Sequence, residues 1–107
     1  MAKIYTTDGK LLCETPQIEI GGKLFAVDNR KSTYDKIQEA INKSDGSKSE
    51  ERIILEHAFG KAQMKEIDAM ELSVKGYMTL LTYVHAAIFD ISFEEAEERF
   101  QKAQNNQ

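Results

Sequence analysis

The fold is decided by residues 73–91, which read SVKGYMTLLTYVHAAIFDI. On a helix with about 100° per residue, one side of this stretch is apolar. That side holds Val74, Tyr77, Leu80, Leu81, Val84, Ala87, Ile88 and Ile91. It is widened at one edge by Met78, His85 and Phe89, and the opposite face holds Lys75, Thr79, Thr82, Ala86 and Asp90. The apolar arc exceeds the stripe of about 100° typical of a surface helix, so we predict a central helix with neighbours on two sides.

Composition sets the class of protein. The 107 residues predict a single domain (1–107), and 41% apolar with 30% charged residues is typical of a soluble globular chain. A net charge of −4 argues against a general nucleic-acid binder, which needs a cationic surface. The only cysteine, Cys13, excludes an intrachain disulfide. Since there is also neither a secretory signal nor an apolar run long enough for a membrane span, we expect a soluble, cytoplasmic protein.

Residues 1–28 carry the period-two pattern of short strands. A first hairpin is predicted over residues 4–12, around Asp8-Gly9. A second has its turn at Gly21-Gly22, which places on one face the side chains of Ile18, Ile20, Phe25 and Val27. Together they predict a small antiparallel sheet with helices on one face.

Residues 32–103 change to a helical period, so the predicted fold class is α+β, with four or five helices around the central one. The predicted caps are Ser32 or Thr33, a capping box over residues 47–50, Ser73, and a second box over residues 92–95. Gly60 ends or bends the second helix, and a short turn through Met64 and Ile67 follows. We expect nearly full burial of Leu81, Val84 and Ile88, and fraying of residues 104–107.

The sequence predicts no catalytic residue, cofactor site or metal site. His57 and His85 lie on different helices without a third ligand, and the simplest role for His85 is a half-buried, hydrogen-bonded core residue. Acidic pairs at residues 50–51, 94–95 and 97–98 fit solvated helix surface better than a catalytic dyad, which needs one desolvated member. Residues 54–70 only loosely follow helix-turn-helix spacing. We therefore expect a protein that is not an enzyme.

A family resemblance adds to this interpretation. It rests on the run FGKAQMKEI at residues 59–67, on Leu72-Ser73-Val74, on Ala86-Ala87-Ile88 and on FEEAEERF at residues 93–100. In this pattern, over roughly residues 18–103, the chain resembles the tail assembly chaperones of long-tailed bacteriophages and prophages. The resemblance implies a non-enzymatic protein in the bacterial host cell. It would bind the apolar, helical tape measure protein while the tail tube forms. Many such chaperones have a second, frameshifted form.

Two other classes of function stay open. One is a different phage structural component or a small protein–protein interaction module. The other is a nucleic-acid-binding regulator or an enzyme, for which the necessary sites are missing from the sequence.

The flank formed by Met78, His85 and Phe89 is the candidate partner-binding surface, because methionine adapts to irregular partners. The same three side chains fit a homo-oligomer contact equally well, or ordinary core covered by the helix that contains Phe93 and Phe100.

Overall fold

The computed structural model describes residues 2–7, 9, 11 and 14–105, the last three by their backbone alone. Within these residues the chain forms one two-stranded antiparallel sheet followed by four helices, which confirms the predicted α+β class. The strands are β1 (Gln17–Ile20) and β2 (Lys23–Ala26), and the helices are α1 (Lys31–Lys43), α2 (Glu50–Ala69), α3 (Val74–Phe89) and α4 (Phe93–Asn105).

The β1–β2 hairpin turns at Gly21 and Gly22, as predicted. Both glycines have positive φ, 60° and 83°, which a two-residue hairpin turn requires and which costs glycine little. The register pairs Ile18 with Phe25 and Ile20 with Lys23. On the inner face, Phe25 and the following Val27 are fully buried.

The other predicted hairpin, over residues 4–12, is not seen as such. Residues 2–7 form no strand and are exposed. The rest of that prediction depends on Asp8, Lys10 and Leu12, which lie outside the described residues, as does Cys13.

The start of α1 differs from the prediction, because neither Ser32 nor Thr33 caps it. The helix follows Arg30, and no side chain accepts a capping hydrogen bond. Instead the Thr33 hydroxyl donates a hydrogen bond to the Asp28 carboxylate at 2.7 Å. The backbone N–H and the guanidinium of Arg30 donate to the same carboxylate at 2.7–3.1 Å. These donors, with the Arg30 side chain the strongest, hold the pKa of Asp28 well below its ordinary value.

Helix α2 bends at Gly60 as predicted, but its start and its continuation beyond Gly60 differ from the sequence prediction. Its cap is Ser49, whose hydroxyl accepts from the Arg52 N–H at 3.1 Å, so the predicted box starting at Ser47 is wrong. At Gly60 the backbone leaves the helical conformation (φ 80°, ψ 165°), and a second helical part continues to Ala69. The predicted short turn after Gly60 is therefore wrong. Met64 and Ile67 are both buried, and their three-residue spacing keeps one helical face on the core.

The break at Gly60 connects α2 to β2. The carbonyl oxygen of Ala58 accepts a hydrogen bond from the Asp28 N–H at 2.8 Å, just after β2. The Gln63 side chain then holds the strand itself, because its Oε1 accepts from the Ala26 N–H and its Nε2 donates to the Ala26 carbonyl. These backbone contacts join the sheet to α2.

Helix α3 is central, since it contacts α2, α4 and β1. Ser73 caps it as predicted, accepting from the Gly76 N–H at 3.0 Å. Leu81 and Val84 are 4% and 0% exposed, as expected, whereas Ile88 is only partly buried because it borders an open groove. Ala86, expected on the wetter face, is buried, and Val74, expected on the apolar side, is 83% exposed in the first turn.

The packing of α3 predicts the cost of removing one core side chain. Leu81→Ala should lower the free energy of unfolding by about 2–5 kcal/mol, because it deletes most of a packed leucine. Chemical denaturation measures this change. The control is Val74→Ala, which truncates a solvent-exposed apolar side chain on the same helix and should change stability by about 0.5 kcal/mol or less. Equal effects of the two variants would contradict the central position of α3.

The backbone at Gly60 generates a second stability prediction. Gly60→Ala should destabilise the protein by about 1–3 kcal/mol, because an L-residue is strained at φ 80° and ψ 165°. Apart from Gly60 itself, its two chain neighbours and the adjacent backbone of α2, nothing comes within 4 Å of the added Cβ, so backbone strain causes the loss. Lys61→Ala, at the next and exposed position, is the control and should be nearly neutral. A neutral Gly60→Ala variant would show that the break at Gly60 is absent.

Candidate functional site

The predicted partner-binding flank, formed by Met78, His85 and Phe89, lies on α3, and its three side chains differ in solvent exposure. Met78 is 42% and Phe89 41% exposed, while His85 between them is partly buried. Met78 and His85 are seven positions apart and His85 and Phe89 four, which places all three along one helical face. The structure thus leaves a substantial part of two large apolar side chains in contact with solvent.

Aromatic contacts connect this flank to the two outer helices. The Phe89 ring meets the Tyr34 ring of α1 edge-to-face, with 5.5 Å between centroids. The His85 ring lies 4.7 Å from Phe89 and 5.0 Å from Phe100 of α4, again between centroids. The Arg99 guanidinium sits 5.9 Å above the Phe89 ring, within the range of a cation–π contact.

An apolar groove opens beside these rings, with a volume of about 410 Å³, between α1 on one side and α3 and α4 on the other. We call it the α1/α3/α4 groove. Its apolar lining includes Tyr34, Ile37, Ile41, Ile54, Ile88 and Phe100. His85 and Phe89 also line it. Met78 does not, because it lies one to two turns closer to the N-terminus of α3. Gln38 and Glu50 add polar groups to the lining.

The electrostatics of the groove centre on His85. Its Nε2 atom is buried and has no hydrogen-bond partner among the described residues, which departs from the hydrogen-bonded core histidine expected from the sequence. Desolvation, followed by the positive charge of Arg99, lowers the pKa of His85 below its ordinary value of 6.5. The imidazole at the groove is therefore neutral at pH 7.

The other polar candidates from the sequence do not assemble into a site. His57 places Nδ1 2.9 Å from the carbonyl oxygen of Ile53 on its own helix, which satisfies that nitrogen locally. The carboxylates at residues 50–51, 94–95 and 97–98 are exposed, apart from the partly buried Glu51. In the part of the chain that the structure describes, no three His, Cys, Asp or Glu residues lie close enough to hold a metal ion.

Sequence reasoning missed three members of the site. They are Tyr34 of α1 and Arg99 and Phe100 of α4. Their helical spacing was a usable signal for burial. It contained no information on which residue of α3 each would meet, because that depends on how the helices pack.

Comparisons with known proteins do not identify the chain further. No family model matches it, and neither the curated proteins nor the solved structures contain a significant match. Among the described residues, every helix is too short or too polar to cross a membrane. What stands is a small α+β fold with an open apolar groove next to a neutral, partly buried histidine.

The unpartnered imidazole predicts a specific pH dependence of stability. Because the pKa of His85 is lower in the folded chain, the unfolded chain binds more protons as pH falls below 6.5. His85 therefore contributes stability that is present above pH 6.5 and lost as pH falls toward the folded-state pKa. Denaturation midpoints measured from pH 7.5 to about 5 should decrease in the wild type, and this decrease should flatten in His85→Leu.

His57→Gln is the control for that experiment, since it removes the other histidine and leaves the groove intact. It should retain the dependence attributed to His85. A decrease of the same slope in His85→Leu and in the wild type would assign the effect to another group.

Proposed function

We propose that this chain is a non-enzymatic tail assembly chaperone of a long-tailed bacteriophage or prophage. In this proposal it acts in the cytoplasm of the bacterial host and binds an apolar helical segment of the tape measure protein in the α1/α3/α4 groove. Of the Met78–His85–Phe89 flank, His85 and Phe89 line the groove, and Met78 extends the apolar surface along α3 beyond it. The observation that carries the proposal is the groove itself, together with the resemblance described above.

The lining of the groove supports a helical, apolar partner. An amphipathic helix binds by placing side chains at positions i, i+3, i+4 and i+7 into an apolar groove. The α1/α3/α4 groove offers isoleucine and aromatic surface for such side chains, and Phe89 is 41% exposed at its rim. Met78, further along the same helical face, supplies the flexible thioether that suits varied partner surfaces.

The predominantly apolar lining of the groove does not favour a small polar ligand. Pockets for small molecules combine apolar walls with several converging polar groups that fix the ligand. Here the polar lining consists of Gln38, Glu50 and His85, and the Nε2 of His85 is already buried. This lining favours binding by apolar burial, without proton or group transfer.

Co-expression with the tape measure protein of the same tail gene cluster tests the function. The wild-type chain should raise the soluble fraction of that protein and co-purify with it. In the genome, a major tail protein gene upstream and a very long coiled-coil gene downstream should flank the coding sequence. A wild-type chain that neither solubilises nor co-purifies with the tape measure protein would contradict the proposed function.

The groove is tested separately by a charge substitution at its rim. Phe89→Glu should reduce co-purification by about tenfold or more, because the loss of an aromatic hot-spot residue costs a complex about 2 kcal/mol or more. The matched control is Met70→Glu. It introduces the same charge in place of another apolar side chain, which is 39% exposed at the end of α2 and outside the groove. Circular dichroism and thermal melts verify that both variants are folded. Equal binding by the two variants would exclude the groove as the binding site.

A further inference from the structure

The two edges of the sheet differ in how many of their outward backbone groups have hydrogen-bond partners. The Val27 N–H donates to the Pro16 carbonyl at 2.9 Å. By the alternation of an antiparallel ladder, Ile18–Phe25 and Ile20–Lys23 are then also hydrogen-bonded pairs. The N–H and C=O groups of Gln17 and Glu19 consequently point away from β2. Within the described residues, they have no hydrogen-bond partner.

The opposite edge, on β2, is partly covered by α2. The Gln63 side chain makes two hydrogen bonds to the backbone of Ala26, at 2.8 and 2.9 Å, in the manner of a neighbouring strand. Lys23, at the other end of β2, pairs with Glu66 of α2 at 2.5 Å. Proteins commonly cover sheet edges in this way, because an open edge is a template for pairing with another chain. By the same alternation the Leu24 N–H and C=O also point outward on β2, without a partner among the described residues. The β1 edge therefore keeps two free residues in a row, Gln17 and Glu19, whereas α2 leaves only Leu24 free on β2.

A second apolar groove lies beside the open edge, between β1 and α3. Its volume is about 410 Å³, and its apolar lining includes Ile18, Ile20, Leu72, Leu80 and Tyr83. Side chains of a strand alternate between the two faces of a sheet. In a strand added to β1, every second side chain would therefore lie over this groove.

The chain itself contains a segment suited to that edge. Residues 2–7 read AKIYTT, rich in residues that favour strands, yet they form no strand and are exposed. Ile4 and Tyr5 are 86% and 80% exposed, which leaves two large apolar side chains without cover. If this segment paired with β1 so that Ile4 and Thr6 faced the groove, Lys3 would lie on the opposite face of the sheet. Glu19 of β1 lies on that same opposite face, so the two opposite charges would attract.

We propose that residues 3–7 of one copy of this chain add as a strand to the open β1 edge of a second copy, and that the exchange is reciprocal. We call residues 3–7 the arm. A second copy is the occupant because, among the described residues, neither the arm nor the β1 edge has a strand partner, and the two are complementary to each other. Two such contacts related by a two-fold axis close into a dimer. Each arm is short, so the dimer is a weak one that depends on concentration.

Two substitutions disable the two halves of the contact in the purified protein. Ile4→Asp introduces a charge into the arm at a position that is exposed in the single chain. Its control is Ala2→Asp, which introduces the same charge just outside residues 3–7. Glu19→Pro removes an N–H that points away from β2, so it blocks strand addition and leaves the β1–β2 ladder intact. Glu19→Ala is its control, because it keeps that N–H. Circular dichroism confirms that each monomer is folded.

Analytical ultracentrifugation over a concentration series measures the dimer. The wild type and both controls should dimerise, and Ile4→Asp and Glu19→Pro should each raise the dissociation constant by tenfold or more. Mixing these two variants should restore part of the dimer, because the intact arm of Glu19→Pro fits the intact edge of Ile4→Asp. Hydrogen exchange should show protection of the Gln17 and Glu19 amides in the dimer.

Three results would overturn the proposal. The first is a wild type that stays monomeric throughout the series. The second is a dimer that neither substitution weakens. The third is protection of the Gln17 and Glu19 amides in a monomer, which would mean that the arm pairs with its own chain. None of these measurements involves the tape measure protein, so their outcome is independent of the proposed chaperone function.

Discussion

The structure depends on the break in α2 at Gly60. With Gly60 out of the helical conformation, the Ala58 carbonyl accepts from the Asp28 N–H, and the Gln63 amide pairs with the backbone of Ala26. These bonds hold the hairpin to α2, where Phe25 packs edge-to-face on Phe59 with 6.4 Å between ring centroids. A continuous helix would use its own carbonyls for helical bonds. The break is thus the means by which a two-stranded sheet, marginal alone, becomes part of the core.

The pattern of helix contacts then explains both grooves. α1 packs on α2 and α4 packs on α3, while α1 and α4 do not pack on each other in the described part of the chain. The space between these outer helices is the α1/α3/α4 groove, in which Tyr34 and Phe100 reach toward α3 from either side. Similarly, β2 is held by α2 on its outer edge, so only β1 faces the second groove.

Much of the architecture follows from local sequence signals. Short-range sequence patterns are enough to predict the Gly21-Gly22 turn and the Ser73 cap. The helical spacing of apolar residues likewise predicts the burial of Leu81 and Val84. The continuation of α2 beyond Gly60 does not follow from local signals, because it requires Met64 and Ile67 to find a core built by distant residues. For the same reason the sequence predicts only the α3 part of the candidate site. Spacing placed its α3 residues on one face, whereas its partners from α1 and α4 come from tertiary packing.

His85 and Phe89 contribute to the groove in different ways. The Nε2 of His85 is buried in the chain alone, so a partner cannot reach it, and the desolvation that lowers its pKa precedes any binding. Protonation of His85 therefore acts on the stability of the fold that forms the groove. Phe89 and Met78 instead keep about two-fifths of their surface exposed, and that surface is what a partner can still remove from water. The binding energy available on this face accordingly comes from the exposed side chains, and His85 positions one of them, Phe89, by packing between it and Phe100.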